Sequence, residues 1–63
     1  MRWYSVDKFI PLEGVQLFLI TDRNGEQVIE VGHYLRSEFL YLDNLRIPNV
    51  THFCIPAPIE IEE

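Results

Sequence analysis

Along most of this chain hydrophobic and polar residues alternate with a period close to two, the spacing at which successive side chains of a strand point to opposite faces. The clearest segment is 15–21, VQLFLIT, with Val15, Leu17 and Leu19 on one side and Phe18 and Ile20 on the other. Because both sides are apolar, the pattern predicts a strand that is central in a small barrel or covered by a partner. Asp22-Arg23-Asn24-Gly25 follows, and Asn-Gly is the strongest short hairpin signal because both residues tolerate positive φ. A second strand is predicted over 26–35, where Ile29, Val31, His33 and Leu35 share a side. Arg36-Ser37-Glu38 turns the chain into a third over 39–42. A loop over 43–49 contains Pro48, and a fourth strand over 50–55 is ended by Pro56 and Pro58, since proline cannot continue a ladder.

The first fourteen residues are less regular. Ser5-Val6-Asp7-Lys8 predicts a single helical turn, and Leu12-Glu13-Gly14 reads as a turn. Between them Pro11 forces Ile10 into an extended conformation. No segment shows a 3.6-residue period, an internal repeat or low complexity. The expectation is an all-β domain with at most one short helical turn. Its form would be an antiparallel meander of three to five strands curled into a barrel-like sheet over 1–58, with an acidic tail over 59–63.

Composition narrows this further. Sixty-three residues hold one domain with a thin core, and 48% hydrophobic content is enough to fold it rather than leave it disordered. One cysteine cannot form an internal disulfide, so a disulfide-rich secreted scaffold is excluded. The longest apolar stretch, Leu17 to Ile20, is far below the ~20 residues of a membrane-spanning helix. No secretory leader is visible, and the Asn49-Val50-Thr51 sequon reads as a chance match. A soluble, cytoplasmic protein is expected.

The net charge of −5 is unevenly placed. Arg2, Lys8, Arg23, Arg36 and Arg46 all lie in the first 46 residues beside seven acids, whereas Glu60, Glu62 and Glu63 stand without a base. No basic stripe exists that could exchange counterions with phosphates, so nucleic-acid binding is not expected.

Two constellations invite a chemical reading. His52 and Cys54 are two apart on a predicted strand and so share a face; with His33 they could supply three zinc ligands. A Cys-His pair could also act as nucleophile and base, given an open, electropositive setting. The other reading makes Cys54 a small buried hydrophobe, with His52 packing on Trp3. No C-x-x-C or H-x-x-x-H spacing supports a metal, and the three glycines at 14, 25 and 32 form no phosphate loop. Packing is therefore the expectation, with no catalytic residue, metal or cofactor assigned. Trp3, Tyr4, Tyr34 and Tyr41 are the candidates for contact with a partner, since aromatics dominate interface energetics, together with the tail acids Glu60, Glu62 and Glu63. Trp3 has a structural alternative, as a plug against His52 and Phe53 at one end of the barrel.

The order Trp3-Tyr4-Ser5-Val6, Ile10-Pro11, Gly14, then a strand, and finally Val50-Thr51-His52-Phe53 with Pro56-Ala57-Pro58 resembles the small proteins grouped as Domain of Unknown Function 551. Those open with Trp-x-x-Val and a Leu-Pro near a glycine, and close on Val-Thr-His-Trp before a Pro-x-Pro ending. Gly32-His33-Tyr34 stands where they carry a small residue and an aromatic. Phe53 replaces their tryptophan. The resemblance covers nearly the whole chain, implies a phage or prophage origin and a host-cell cytoplasmic setting, and transfers no active site. Small size, the lack of a catalytic constellation, the acidic tail and this resemblance together suggest a non-enzymatic interaction protein that binds and inhibits a host protein, such as a CRISPR-type defence component. Two rivals remain: an oligomeric binder of nucleotide signals using Arg2 beside Trp3-Tyr4 and Arg36 beside Tyr34, and an accessory protein of a mobile element. Self-association, as a homodimer, is also expected, because a small sheet can cover only one side of segment 15–20 well.

Overall fold

In the computed structural model, which describes residues 2–56, the chain forms one five-stranded antiparallel sheet. The strands are β1 (Tyr4–Ser5), β2 (Leu17–Arg23), β3 (Glu26–Leu35), β4 (Glu38–Tyr41) and β5 (Val50–Cys54). Their spatial order is β1-β5-β2-β3-β4. The expected meander is present as β2-β3-β4, but β5 returns to pair with β2 and β1 adds outside β5. The all-β fold is as the periodicity predicts. The residues assigned to the tail, including Glu60, Glu62 and Glu63, lie outside the described residues.

The local signals explain the turns. Asn24 and Gly25 both adopt positive φ, 54° and 86°, the combination that a two-residue hairpin with right-handed strand twist requires. Asp22 Oδ1 accepts a bond from the Gly25 amide at 3.0 Å and fixes that turn. β2 and β3 then pair from Arg23↔Glu26 to Leu17↔Gly32. Ser5 to Phe9 makes the single helical turn, with Ser5 O accepting from the amides of Lys8 and Phe9 at 3.2 and 3.1 Å.

The barrel-like closure does not form. β1 and β4 are the two edges of the sheet and do not pair with each other. β1 is only two residues long, and the outer edge of β4 is already taken by its own following loop. Tyr41 N donates to Leu45 O at 2.7 Å, and Ile47 N donates to Phe39 O at 2.8 Å. A closed barrel needs two long free edges, and neither edge is both.

The core lies on one face of the sheet. Leu17, Leu19, Ile47 and Phe53 are buried together, with Tyr4, Val6, Val15, Tyr34, Phe39, Tyr41 and Val50 packed around them. The connections over 6–16 and 42–49 supply Val6, Val15 and Ile47, so both cover this same face. Full burial of a leucine such as Leu17 or Leu19 contributes roughly 1.5–3 kcal/mol. Alternation sends three charged strand residues toward this side, Arg23, Glu26 and Glu30, the last directly opposite Leu19. Arg23 lies 3.0 Å from Glu30 and also donates to Tyr41 Oη at 2.6 Å. Ile29, Val31, His33 and Leu35 do share a side, and it is the opposite one.

Candidate interaction surface

Alternation along β1 decides which aromatic meets Phe53. Tyr4 pairs with Phe53 across the strands, and their rings stack at 5.5 Å between centroids. Phe9 meets the other side of the Tyr4 neighbourhood edge-on at 5.1 Å. The expected plug of Trp3 against Phe53 is therefore corrected: Tyr4 holds that place. Trp3, half-buried, is one residue earlier and so points away from Phe53. Carried back by one residue, the register sets Trp3 opposite Cys54.

Tyr4 and Phe53 form the floor of an apolar groove of about 180 Å³, completed by Phe9, Ile10, Pro11, Leu12 and Ile55. Pro11 is buried and anchors the segment, while Ile10 and Leu12 on either side of it are 83% and 69% exposed. Proline and the lack of a ladder partner hold 9–12 as an extended ridge whose apolar side chains have no element of their own to cover them. Of the expected contact residues, Tyr4 alone belongs to this groove. Tyr34 packs on Phe39 at 4.9 Å, and Tyr41 is held by Arg23. Phe9, Ile10, Leu12 and Ile55 are the additions. Their signal in the sequence is the run Phe9-Ile10-Pro11-Leu12, which is apolar but follows no strand or helix period.

The His/Cys constellation is not assembled. Cys54 is fully buried, on the face that alternation also gives to His52. His33 stands on β3, two strands away across β2, and four residues further along the ladder than the Ile29 that faces Ile20 and His52. Strand spacing and rise put His33 and His52 about 16 Å apart, too far to share an ion. Each histidine has its own partner. His52 Nδ1 lies 3.0 Å from Thr51 Oγ1, and His33 Nε2 lies 3.1 Å from Asn44 Oδ1. Among the described residues no three metal-ligating side chains cluster.

A second, polar cleft of about 470 Å³ is lined by Asp22, Gly25, Gln27, Thr51 and His52. Its lining has a carboxylate and no guanidinium or ammonium, the wrong charge for a phosphate. Arg36, proposed for a nucleotide site, lies at the β3–β4 turn, where its amide donates to Glu13 Oε1 at 2.8 Å. Among the described residues no helix is long and apolar enough to cross a membrane. No family model, no curated protein and no solved structure matches this chain.

Proposed function

We propose that this chain is a small interaction protein, not an enzyme, that holds an apolar segment of a host protein in the Tyr4–Phe9–Leu12–Phe53 groove and inhibits that protein. The observation that carries the reading is the groove itself, an aromatic floor beside the exposed ridge Ile10-Pro11-Leu12. Its volume of about 180 Å³ is below the ~300–1,000 Å³ of sites that enclose a whole small ligand. Such a space takes one large side chain, the way a hot-spot anchor is taken at a protein interface. The host setting rests on the sequence resemblance, and a CRISPR-type defence component as one such partner rests on that resemblance together with the chain's small size and acidic tail.

Ile10→Asp is the test. Ile10 is too exposed for the change to unfold the protein, so its melting temperature should stay within a degree or two of the parent. The variant should fail to retain the host protein that the parent co-purifies, and a photo-crosslinker at Leu12 should reach that protein while one at Glu26 should not. Undiminished retention by Ile10→Asp, with crosslinking equal at both positions, would overturn the reading.

A further inference from the structure

The side of the sheet turned away from the core carries its own apolar patch. Phe18 and Ile20 on β2 stand directly opposite Val31 and Ile29 on β3, a two-by-two block. His52 flanks Ile20 on one side, and the His33–Leu40 pair flanks Val31 on the other. Alternation places only two charged strand residues on this face, Asp22 and Glu38, one at each end of the sheet. The faces differ most around Ile29: Leu17 and Leu19 are 0% exposed, whereas Ile29 is 64% exposed and Phe18, Ile20 and Val31 are half-buried; only Cys54, opposite Phe18 at the β5 side of the patch, is fully buried here. Val6, Val15 and Ile47 from the connections pack on the other face. Asn44 is the loop residue that reaches round the β4 edge, to His33.

We propose that this face is covered by the same face of a second copy, giving a two-layer sandwich of two five-stranded sheets. A sheet is stable when both apolar faces meet another layer, and among the described residues no second layer covers this one. Addition of a strand at an edge is a poor alternative, because residues 45–47 occupy the outer edge of β4 and β1 has two residues. A second copy fits for two reasons. A two-fold contact needs only a surface that complements itself, and a flat block of Phe, Ile, Ile and Val with no charge at its centre does so. The area fits a weak dimer. The twenty-eight strand residues cover roughly 450 Å² at standard strand rise and spacing. The pair then buries about 900 Å², just under the ~1,000 Å² of a stable specific interface and in the range of weak, reversible ones. A weak dimer, filling within the micromolar-to-millimolar range, is expected.

The charges give a second readout. A two-fold contact with the strands of the two layers aligned brings the acidic ends of the copies together, Asp22 or Glu38 against Asp22 or Glu38, and each chain carries a net −5. Salt screens such repulsion, so association should tighten several-fold between about 50 and 500 mM salt. A partner with a basic rim on the same face would show the opposite trend.

Sedimentation equilibrium of the full chain, from a few micromolar to about a millimolar, tests the proposal, together with concentration-dependent NMR shifts of the unmodified protein. Expected are a monomer–dimer equilibrium, shifts confined to Phe18, Ile20, Ile29 and Val31, and loss of the dimer in Ile29→Asp with Ile29→Val unaffected. Ile10→Asp should leave the dimer intact, which separates this face from the groove. A monomer throughout, a dimer abolished by Ile10→Asp and not by Ile29→Asp, or association weakened by salt would each overturn it. If Ile29→Asp does not fold, the shifts of the unmodified chain decide: a pattern centred on Phe9, Ile10 and Leu12 would overturn the proposal equally.

Discussion

A Cβ placed on Gly32 would run into the Leu40 carbonyl oxygen, with Ile47 Cδ1 at 3.0 Å and Leu19 Cδ1 at 3.2 Å. The obstacle includes backbone of the neighbouring strand, which cannot swing aside as a side chain can. Gly32 therefore lets β4 and the Ile47 loop close over Leu17 and Leu19, and the fold's small core depends on it. Gly32→Ala should destabilise the protein by about 3 kcal/mol, the upper range for overpacking. A 63-residue domain has roughly 3–9 kcal/mol in total, so the urea midpoint should fall by a third or more, or the chain should not fold at all. A midpoint within experimental error of the parent would show that the sheet can relax around the methyl. Nothing in the sequence announces this role, because the clash involves Leu40 and Ile47, and their approach to Gly32 exists only once the sheet has formed. Cys54 was more legible. A lone cysteine in an apolar, strand-period segment points to burial, and it is fully buried.

Both hairpin turns are read from the sequence, but only one of them is built from residues that suit its geometry. Asn24-Gly25 is written for positive φ. Arg36 and Ser37 have the same geometry, φ 51° and 65°, with side chains that the left-handed region penalises. Register forces it: β3 and β4 pair down to Leu35↔Glu38, leaving two residues for the reversal, and the bond from Arg36 N to Glu13 Oε1 helps to hold it. Ser37→Gly should relieve part of that strain and stabilise the protein by about 0.5–1 kcal/mol after allowing for the freer unfolded chain. Thermal and urea melts would read this, and a destabilised variant would mean that the serine hydroxyl has a role its backbone geometry does not reveal. β2 to β5 were legible within two residues because period-two alternation survives in each. β1 was not, since two residues carry no period and Tyr4–Ser5 exists as a strand only because β5 is there to pair with it. The groove was half legible: the aromatic Tyr4 stood out, but Phe9, Ile10 and Leu12 become a surface only when the 6–16 connection crosses the sheet.

Assembly of the whole sheet joins near and distant parts of the chain, and the two should form at different times. β2 and β3 meet through a two-residue turn and seven pairs, so little chain entropy is lost before contacts accumulate. β1 and β5 join Tyr4 to Phe53 and Ser5 to His52, a closure across nearly the whole domain that contributes only two pairs. Loop closure costs more the longer the loop, and it must be met before the contacts stabilise anything. The β2–β3 hairpin is therefore the expected nucleus, and β1 the last strand to dock. Val28→Ala, opposite Thr21 in that hairpin, should lower the folding rate, with a φ-value of about 0.5 or more. Tyr4→Ala removes the Phe53 stack and should act almost wholly by raising the unfolding rate, with a φ-value below about 0.3. Stopped-flow chevrons of the two variants, taken at low micromolar protein so that association does not intrude, would separate them. A Tyr4→Ala variant that slowed folding as much as Val28→Ala would place the long-range closure inside the nucleus, and β1 would then be a part of the fold's organisation rather than its final seal.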